Sequence, residues 1–213
     1  NDNWGTSSSP TWKWKKNDWN GDDLNQNDEF SHFVAGQRVV QLGRGVALWA
    51  GFNGKQSELF GVLSSCVISL WVEFKDAYNP DQGFGPIDLV FGWAGAGFEM
   101  LRARGLERWD LRVSFKSFKG LPPSLIVAEE PSDYDNAIYW ITYRPTDDLP
   151  IDVAVGYSTD REGWPFELKR ELYIGTGISG AELGKLFGKW PGRVGSLACW
   201  YEITIGVRVY RGK

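Results

Sequence analysis

The chain has 213 residues, a formal net charge of −4 and a pI near 5.1. Its 42% hydrophobic and 15% aromatic content suffices to bury a core, which excludes a disordered chain. The nearly balanced charge argues against a nucleic-acid-binding protein, because such proteins need a concentrated basic face. The length suits one large all-β domain or two small domains.

Residues 1–29 differ from the rest of the chain and predict an extended N-terminal segment. They contain four of the 12 tryptophans and otherwise almost only polar residues. Within them, TWKWKK at residues 11–16 alternates aromatic and basic side chains with the period of a β-strand. Such a strand can be the first strand of its own sheet, or it can add to the sheet edge of a neighbouring copy. The candidate assembly residues are Thr11, Trp12, Lys13, Trp14 and Lys15.

The acidic stretch at residues 18–29 predicts a cation site. Its oxygen-bearing side chains recur at positions 1, 3, 5, 9 and 12, as in a calcium-binding EF-hand loop. Position 6 holds Asp23 where that loop needs Gly, so an EF-hand itself is not predicted. Five acids without a base nevertheless repel one another unless a cation or a basic partner lies among them. We expect Ca²⁺, with a solvated acidic linker as the alternative, and the candidate ligands are Asp18, Asn20, Asp22, Asp23, Gln26, Asp28 and Glu29.

From residue 30 onward, short apolar runs alternate with Gly, Pro and Asp turns, which is typical of an all-β protein. The clearest alternation occurs in RWDLRVSFK, IDVAVGYS and CWYEITIGVRVY. Other predicted strands are GVALWAGF, CVISLWVEF, PIDLVFGW, SLIVAE, AIYWITYR and FELKRELYI. One short helix is expected near residues 179–188, where Ser179 and Glu182 match a capping box. The sequence thus predicts a two-sheet jelly-roll β-sandwich at residues 30–213, preceded by the extended segment at residues 1–29.

We expect the chain to be secreted and to lack a membrane span. It begins with Asn rather than Met, which is typical of a mature chain cut from a precursor, with an expression boundary as the alternative. The longest apolar run, SSCVISLWVEF, is interrupted by Glu73 and falls short of the ~20 residues of a membrane helix. The two cysteines, Cys66 and Cys199, lie in predicted strands, where they can form a disulfide or remain buried thiols.

The many tryptophans suggest carbohydrate as an alternative ligand. Exposed indole rings can stack on sugar rings, and the candidate platforms are Trp164, Trp190 and Trp200. A glycoside hydrolase needs two carboxyl groups at a set separation. Candidate acids in the predicted strands are Glu73, Asp88, Glu99, Asp110 and Glu202. No catalytic motif accompanies these acids, so we expect a non-catalytic protein.

The strand rhythm of CVISLWVEFKD, GFEMLRARG and RWDLRVSFK resembles that of laminin-G and concanavalin-like sandwiches. Residues 11–16 and the acids at residues 18–29 resemble the general plan of archaeal extracellular filament and tubule subunits, among them TasA-like pili and cannulae. That resemblance implies donor-strand exchange between copies, with calcium at the subunit contacts. We therefore expect a subunit of a homopolymeric extracellular filament or tubule. The alternatives are a calcium-stabilised carbohydrate-binding module and, behind it, a jelly-roll glycoside hydrolase that acts on polysaccharide.

Overall fold

The computed structural model describes residues 11–16, 18–19, 26–79, 82–116, 131–146, 151–162, 167–179 and 202–212. The chain divides into two compact units. The first, the helical unit, comprises Asn1–Leu101 with Leu121–Tyr134, and the second, the sheet unit, comprises Arg102–Gly120 with Asp135–Lys213. The prediction of an all-β sandwich is wrong, because helices make up most of the described part of the helical unit. The predicted boundary after Glu29 falls inside the first helix.

Three long helices form the helical unit: α1 (Asn27–Trp49), α2 (Gly54–Asp76) and α3 (Pro86–Leu101). α1 ends before Gly51, whose φ of 92° lies in the left-handed region that favours glycine. α2 begins with a capping box: the backbone N–H of Gln56 donates to Asn53 Oδ1 at 3.0 Å, and the backbone N–H of Asn53 donates to Gln56 Oε1 at 3.2 Å. Short connections make consecutive helices antiparallel neighbours.

Three of the predicted strands, GVALWAGF, CVISLWVEF and PIDLVFGW, lie wholly or largely in these helices. A short apolar run is compatible with a buried strand or a helix, so its periodicity alone does not decide between them. The sequence feature that indicates a helix here is instead the spacing of small residues. Ser57, Gly61 and Ser65 recur every four residues along α2, and all three are buried. Counting only large apolar residues misses that spacing.

The three helices approach closely because glycines stand at their contacts. A Cβ atom on Gly36 of α1 would collide with the carbonyl oxygen of Gly92 on α3. A Cβ atom on Gly61 of α2 would lie 2.5 Å from the carbonyl oxygen of Val40 on α1. Ser65 fits the same interface because its hydroxyl donates to the Gly36 carbonyl at 2.8 Å. Close contact between the helix backbones, which small side chains permit, therefore stabilises the bundle. Helix pairs that pack through small residues spaced four apart are stabilised in the same way.

The sheet unit contains one antiparallel sheet with the strand order β1-β2-β3-β4-β5. Its strands are β1 (Trp109–Phe115), β2 (Ala137–Tyr143), β3 (Asp152–Glu162), β4 (Glu167–Ser179) and β5 (Glu202–Gly212). A π-helical turn at Arg102–Leu106 precedes β1, and a short helix, α4 (Pro131–Asn136), precedes β2. Five predicted strands are thereby confirmed in position, but they form one sheet instead of two. The predicted strand SLIVAE lies outside the described residues, as does the predicted helix near residues 179–188 apart from Ser179.

The sheet is curled, since Cα atoms of β1 and β5 come within 8 Å of each other. The enclosed face carries Trp140, which is 1% exposed. Its ring lies over three strand glycines, Gly156, Gly175 and Gly206, where a Cβ atom would lie 3.0 Å or less from the ring. The opposite face points outward and carries exposed apolar side chains, among them Ile141, Val153, Val155, Leu172, Ile174, Ile205 and Val207. The alternation was predicted from sequence, but for β5 the prediction that Ile205, Val207 and Val209 face inward is wrong, because all three are exposed.

Buried charges on the enclosed face are matched by opposite charges. Arg112 Nη2 lies 2.5 Å from Asp152 Oδ2, and Arg144 Nε lies 3.2 Å from Asp152 Oδ1. Glu171 Oε2 lies 2.6 Å from Lys116 Nζ, and its other oxygen accepts a hydrogen bond from Arg208. Such pairing is what allows carboxylates to be buried in a folded protein.

Candidate functional site: an apolar exterior and a buried charge cluster

The helices of the helical unit expose large apolar side chains and bury small or polar ones. On α2 the exposed apolar residues are Leu59, Phe60, Leu63, Val67, Ile68, Leu70, Trp71 and Phe74. The buried residues of the same helix are Ser57, Gly61, Ser65 and Glu73. A helix of a water-soluble domain normally shows the reverse distribution, with its apolar stripe facing the core. The exterior of this unit is therefore more apolar than that of an ordinary water-soluble helical domain.

Polar contacts inside the bundle join α1 to α3. The Gln37 and Gln41 side-chain amides both donate to Glu99 Oε2, at 3.1 and 3.0 Å. Glu99 and Gln37 are buried. These hydrogen bonds satisfy polar groups that lie between helices whose outer surfaces are apolar.

Aromatic side chains gather at both ends of the bundle. The start of α1, the end of α2 and the start of α3 lie together, and the exposed aromatic residues described at that end are Trp12, Trp14, Trp19, Trp71, Phe74 and Tyr78. At the opposite end Trp49 is 80% exposed, and Phe52 is exposed beside it. Two further exposed rings, Trp93 midway along α3 and Phe60 within α2, lie between these ends. Exposed rings at both ends of a bundle are typical of the two interfaces of a membrane.

Among the described helices, α2 is long and apolar enough to cross a membrane, and only 22% of its most apolar window is buried. Its charged residues lie near its two ends, because Lys55 and Glu58 precede the apolar stretch and Glu73, Lys75 and Asp76 follow it. By length and composition alone, this is a candidate span.

At the aromatic end that holds the start of α1, Lys15 lies among three carboxylates. Its Nζ is 2.7 Å from Asp28 Oδ2, 2.8 Å from Asp88 Oδ2 and 3.4 Å from Asp18 Oδ1. Burial lowers the pKa of the Lys15 ammonium, but the charges of Asp28 and Asp88 outweigh burial and hold that pKa above its usual value. The Lys15 side chain is therefore a positively charged group that ion pairs with Asp28 and Asp88 hold inside an acidic site.

His32 extends this group toward α2. Its Nε2 lies 3.5 Å from Asp28 Oδ1 and its Nδ1 lies 3.7 Å from Glu73 Oε1. Glu73 Oε2 also accepts a hydrogen bond from the backbone N–H of Gly85 at 2.8 Å, and the Tyr134 hydroxyl donates to Asp28 Oδ1 at 3.0 Å. We call these residues the end cluster: Lys15, Asp18, Asp28, His32, Glu73 and Asp88.

Helix ends explain why acids collect in the end cluster. Asp18 Oδ2 accepts from the backbone N–H of Ile87 at 2.6 Å, so Asp18 caps the first turn of α3. Asp28 and Asp88 lie in the first turns of α1 and α3. The positive end of each helix dipole stabilises a carboxylate at these positions.

The end cluster contains two of the predicted calcium ligands, Asp18 and Asp28, which both contact Lys15. Of the other candidates, Gln26 donates to the Trp19 carbonyl at 3.0 Å and Glu29 is buried in α1. Asn20, Asp22 and Asp23 lie outside the described residues. No observation identifies calcium as the cation, so that assignment stays a prediction.

The predicted assembly segment pairs with its own chain. The backbone N–H groups of Lys13 and Lys15 donate to the carbonyls of Ala77 and Phe84, at 2.8 and 2.9 Å. Trp12 packs against Phe74, Tyr78 and Phe84, and Trp14 lies edge-on to Phe84 with a centroid distance of 5.2 Å. Thr11 begins the described segment and is exposed. The tryptophans of this polar chain end thus pack on the connection between α2 and α3, and donation to another copy stays a prediction.

The sugar-stacking candidates Trp164, Trp190 and Trp200 lie outside the described residues, so that prediction stays open. Cys199 lies outside them as well, whereas Cys66 is a free thiol and lies on α2 instead of a strand. The candidate catalytic acids are spread over the two units. Glu73 and Asp88 belong to the end cluster. Glu99 accepts hydrogen bonds from Gln37 and Gln41. Asp110 forms an ion pair with Arg102 at 3.2 Å. Glu202 opens β5.

Sequence reasoning missed His32, Glu73 and Asp88 as members of one cluster. The available signal was the spacing of Asp28 and His32, four residues apart, which places both on one face of a helix. That signal has meaning only once the segment is known to be helical, and the strand interpretation concealed it.

Comparison of the chain with protein-family models, curated proteins and solved structures finds no significant match. Two features of the molecule remain as indications of function: the apolar exterior and the end cluster.

Proposed function

We propose that the helical unit is embedded in a membrane and that the protein is a membrane-anchored carrier of the sheet unit. The observation that carries this proposal is the distribution of side chains on α1, α2 and α3. Large apolar residues face outward, whereas glycines, serines and acids lie between the helices. In a membrane this distribution is favourable, because lipid tails solvate the exterior and polar groups find partners inside the bundle.

Helix length supports the same proposal. The 23 residues of α2 span about 35 Å at about 1.5 Å per residue, which exceeds the hydrocarbon core of about 30 Å. α3 has 16 residues and is shorter than that core, so it requires local thinning of the bilayer. Arg44 on α1 is exposed but lies close to the helix end at Trp49, where a long basic side chain can reach the interface.

Small residues at the helix contacts support it further. Helices in lipid gain little from burying apolar side chains against each other, so close backbone approach provides the association energy instead. The contacts of Gly36 with Gly92 and of Gly61 with Val40 are of that kind. The aromatic residues at both ends of the bundle then lie at the two levels where membrane interfaces are expected.

The test is alkaline carbonate extraction of membranes from cells that express the full chain. Most of the wild-type chain is expected in the membrane pellet. In Val67→Asp, a charge at the centre of α2 costs about 3 kcal/mol of insertion free energy, so the pelleted fraction should fall several-fold. Val67 is 64% exposed.

The matched control is Val155→Asp in the sheet unit, because Val155 is 59% exposed and the substitution is the same. Its pelleted fraction should equal that of the wild type. Equal losses in both variants would contradict insertion through the helical unit. A wild-type chain that stays in the aqueous fraction as a large particle by light scattering would overturn the membrane proposal and support the predicted self-assembly.

A further inference from the structure

The end cluster holds more negative than positive groups, and this imbalance motivates an inference beyond membrane anchoring. Four carboxylates, those of Asp18, Asp28, Glu73 and Asp88, face one ammonium and one imidazole. All four acids are buried. Buried carboxylates without enough counter-charge are costly, whereas a bound cation removes that cost.

Three side chains of the cluster have the geometry of metal ligands. Asp28, His32 and Asp88 each offer one ligand atom, and these atoms lie within 4.8 Å of one another. Asp28 and His32 are four residues apart on α1, and Asp88 comes from the first turn of α3. An imidazole with two carboxylates is a ligand set for divalent first-row metal ions such as Zn²⁺, whereas Ca²⁺ prefers oxygen ligands alone.

A second observation points to a missing ligand at the same place. Asp88 Oδ1 is buried and has no hydrogen-bond partner among the described residues, whereas Asp18 Oδ1 has the 3.4 Å ion pair with Lys15. Asp88 as a whole is 3% exposed. Buried carboxylate oxygens are almost always hydrogen-bonded or coordinated, so the unfilled acceptor of Asp88, itself a member of the ligand set, points to a cation at this place.

The Lys15 ammonium lies between Asp28 and Asp88, where a cation bound by these two carboxylates would also lie. It contacts one oxygen of Asp28 and one of Asp88, the two carboxylates of the ligand set. An ammonium and a divalent ion cannot share this position, since two positive charges at about 3 Å repel each other strongly in a buried site. Metal binding and docking of Lys15 therefore compete.

We propose that Asp28, His32 and Asp88 bind a divalent transition-metal ion such as Zn²⁺ in exchange for the Lys15 ammonium. The exchange weakens the docking of residues 11–16, because it removes the side-chain contacts of Lys15 and leaves the backbone hydrogen bonds of Lys13 and Lys15 to hold that segment. The end cluster is thus a metal site whose occupancy weakens the docking of the N-terminal tryptophans.

The experiment is a calorimetric Zn²⁺ titration of the purified full chain in detergent micelles, with Co²⁺ absorption as a spectroscopic check on imidazole ligation. The wild type is expected to bind one Zn²⁺ per chain. Lys15→Met removes the competing cation and should bind at least tenfold more tightly. His32→Gln removes the nitrogen ligand and should bind at least tenfold more weakly.

Lys16→Met is the matched control, because Lys16 is the adjacent lysine and is exposed. Its affinity should equal that of the wild type. A second readout is hydrogen exchange of the Lys13 and Lys15 amides, which should become faster when Zn²⁺ is added.

Two results would overturn the proposal. One is equal Zn²⁺ affinity of the wild type, Lys15→Met and His32→Gln, since that would place the bound metal elsewhere. The other is Ca²⁺ binding in preference to Zn²⁺ with no effect of His32→Gln, which would support the predicted oxygen-ligand calcium site instead. Circular dichroism of each variant separates loss of the site from loss of folding.

Discussion

The helical unit and the sheet unit both enclose polar groups and turn apolar side chains outward, but they stabilise the enclosed groups differently. In the sheet unit, Asp152 pairs with Arg112 and Arg144, and Glu171 pairs with Lys116 and Arg208. In the end cluster of the helical unit, four carboxylates share Lys15 and His32. In the sheet unit each of these buried carboxylates has two basic partners, whereas the end cluster has more acids than bases.

This difference indicates where function lies. A buried carboxylate with two basic partners is stabilised without a further cation. A cluster with more acids than bases, in which Asp88 Oδ1 has no hydrogen-bond partner among the described residues, is able to take up a cation. The contacts between helices differ from both, because they depend on the shapes of small residues more than on charge. Three substitutions test these distinctions.

The largest effect is expected for Arg112→Met in the sheet unit. The substitution leaves Asp152 buried with Arg144 as its remaining basic partner, so the free energy of unfolding should fall by about 3–5 kcal/mol. Denaturant unfolding of the full chain in micelles, followed by near-UV circular dichroism, measures the loss. Arg211→Met is the comparison variant: Arg211 pairs at 2.5 Å with the more exposed Asp160, and it lies 3.6 Å from Glu171, which keeps Lys116 and Arg208 as partners. Its loss should therefore be smaller than that of Arg112→Met. Equal losses would show that burial does not set the strength of these pairs.

A smaller effect with a defined pH dependence is expected for Glu171→Gln. Burial alone raises the pKa of Glu171, but hydrogen bonds from Lys116, Arg208 and Tyr173 outweigh burial and hold that pKa below its usual value of 4.5. A lowered pKa in the folded state contributes stability that is present above pH 4.5 and is lost as the pH falls through the folded-state pKa.

The wild-type sheet unit should therefore lose stability as the pH falls below about 4.5. Glu171→Gln should be less stable than the wild type at pH 7 by about 1.5–3 kcal/mol, and this difference should shrink as the solution becomes more acidic. Unfolding free energies measured across the acid range for both proteins provide the check. Parallel pH profiles would contradict the role assigned to Glu171.

The smallest effect distinguishes shape from charge in the helical unit. A Cβ atom on Gly95 would collide with the Phe33 carbonyl oxygen, so Gly95→Ala should destabilise the bundle by about 1–3 kcal/mol. Gly97→Ala, two residues along α3, meets no described atom within 4 Å and should stabilise the helix by about 0.5–1 kcal/mol. Thermal unfolding of the two variants should therefore shift in opposite directions. Shifts of the same sign would show that the stability of the bundle does not require close packing of α1 and α3.

The strands of the sheet unit were predictable from sequence because their side chains alternate with a period of two. Segments such as RWDLRVSFK and IDVAVGYS carry that alternation without interruption. Which face of each strand points inward was not predictable, since the rule that apolar residues face the core fails in this sheet. Val153 and Val155 are exposed, while Asp152 and Ala154 on the other face are buried.

The end cluster was predictable only in part. The concentration of acids at residues 18–29 marked Asp18 and Asp28 as candidate cation ligands, and both belong to the cluster. Glu73 and Asp88 are far away in sequence and single acids within apolar runs, so no local pattern connects them with Asp28. Only the packing of α2 and α3 beside α1 brings them together.

The sequence by itself determined which segments alternate as strands, where the acids concentrate and that the N-terminal tryptophans need an apolar contact. These are local properties, which follow from the identity and spacing of neighbouring residues. The tertiary structure decided that residues 27–49, 54–76 and 86–101 form helices, which side of each element faces outward and which distant charges meet. Those outcomes depend on which surfaces pack together, because a glycine or a buried acid acquires its role only from the element packed against it.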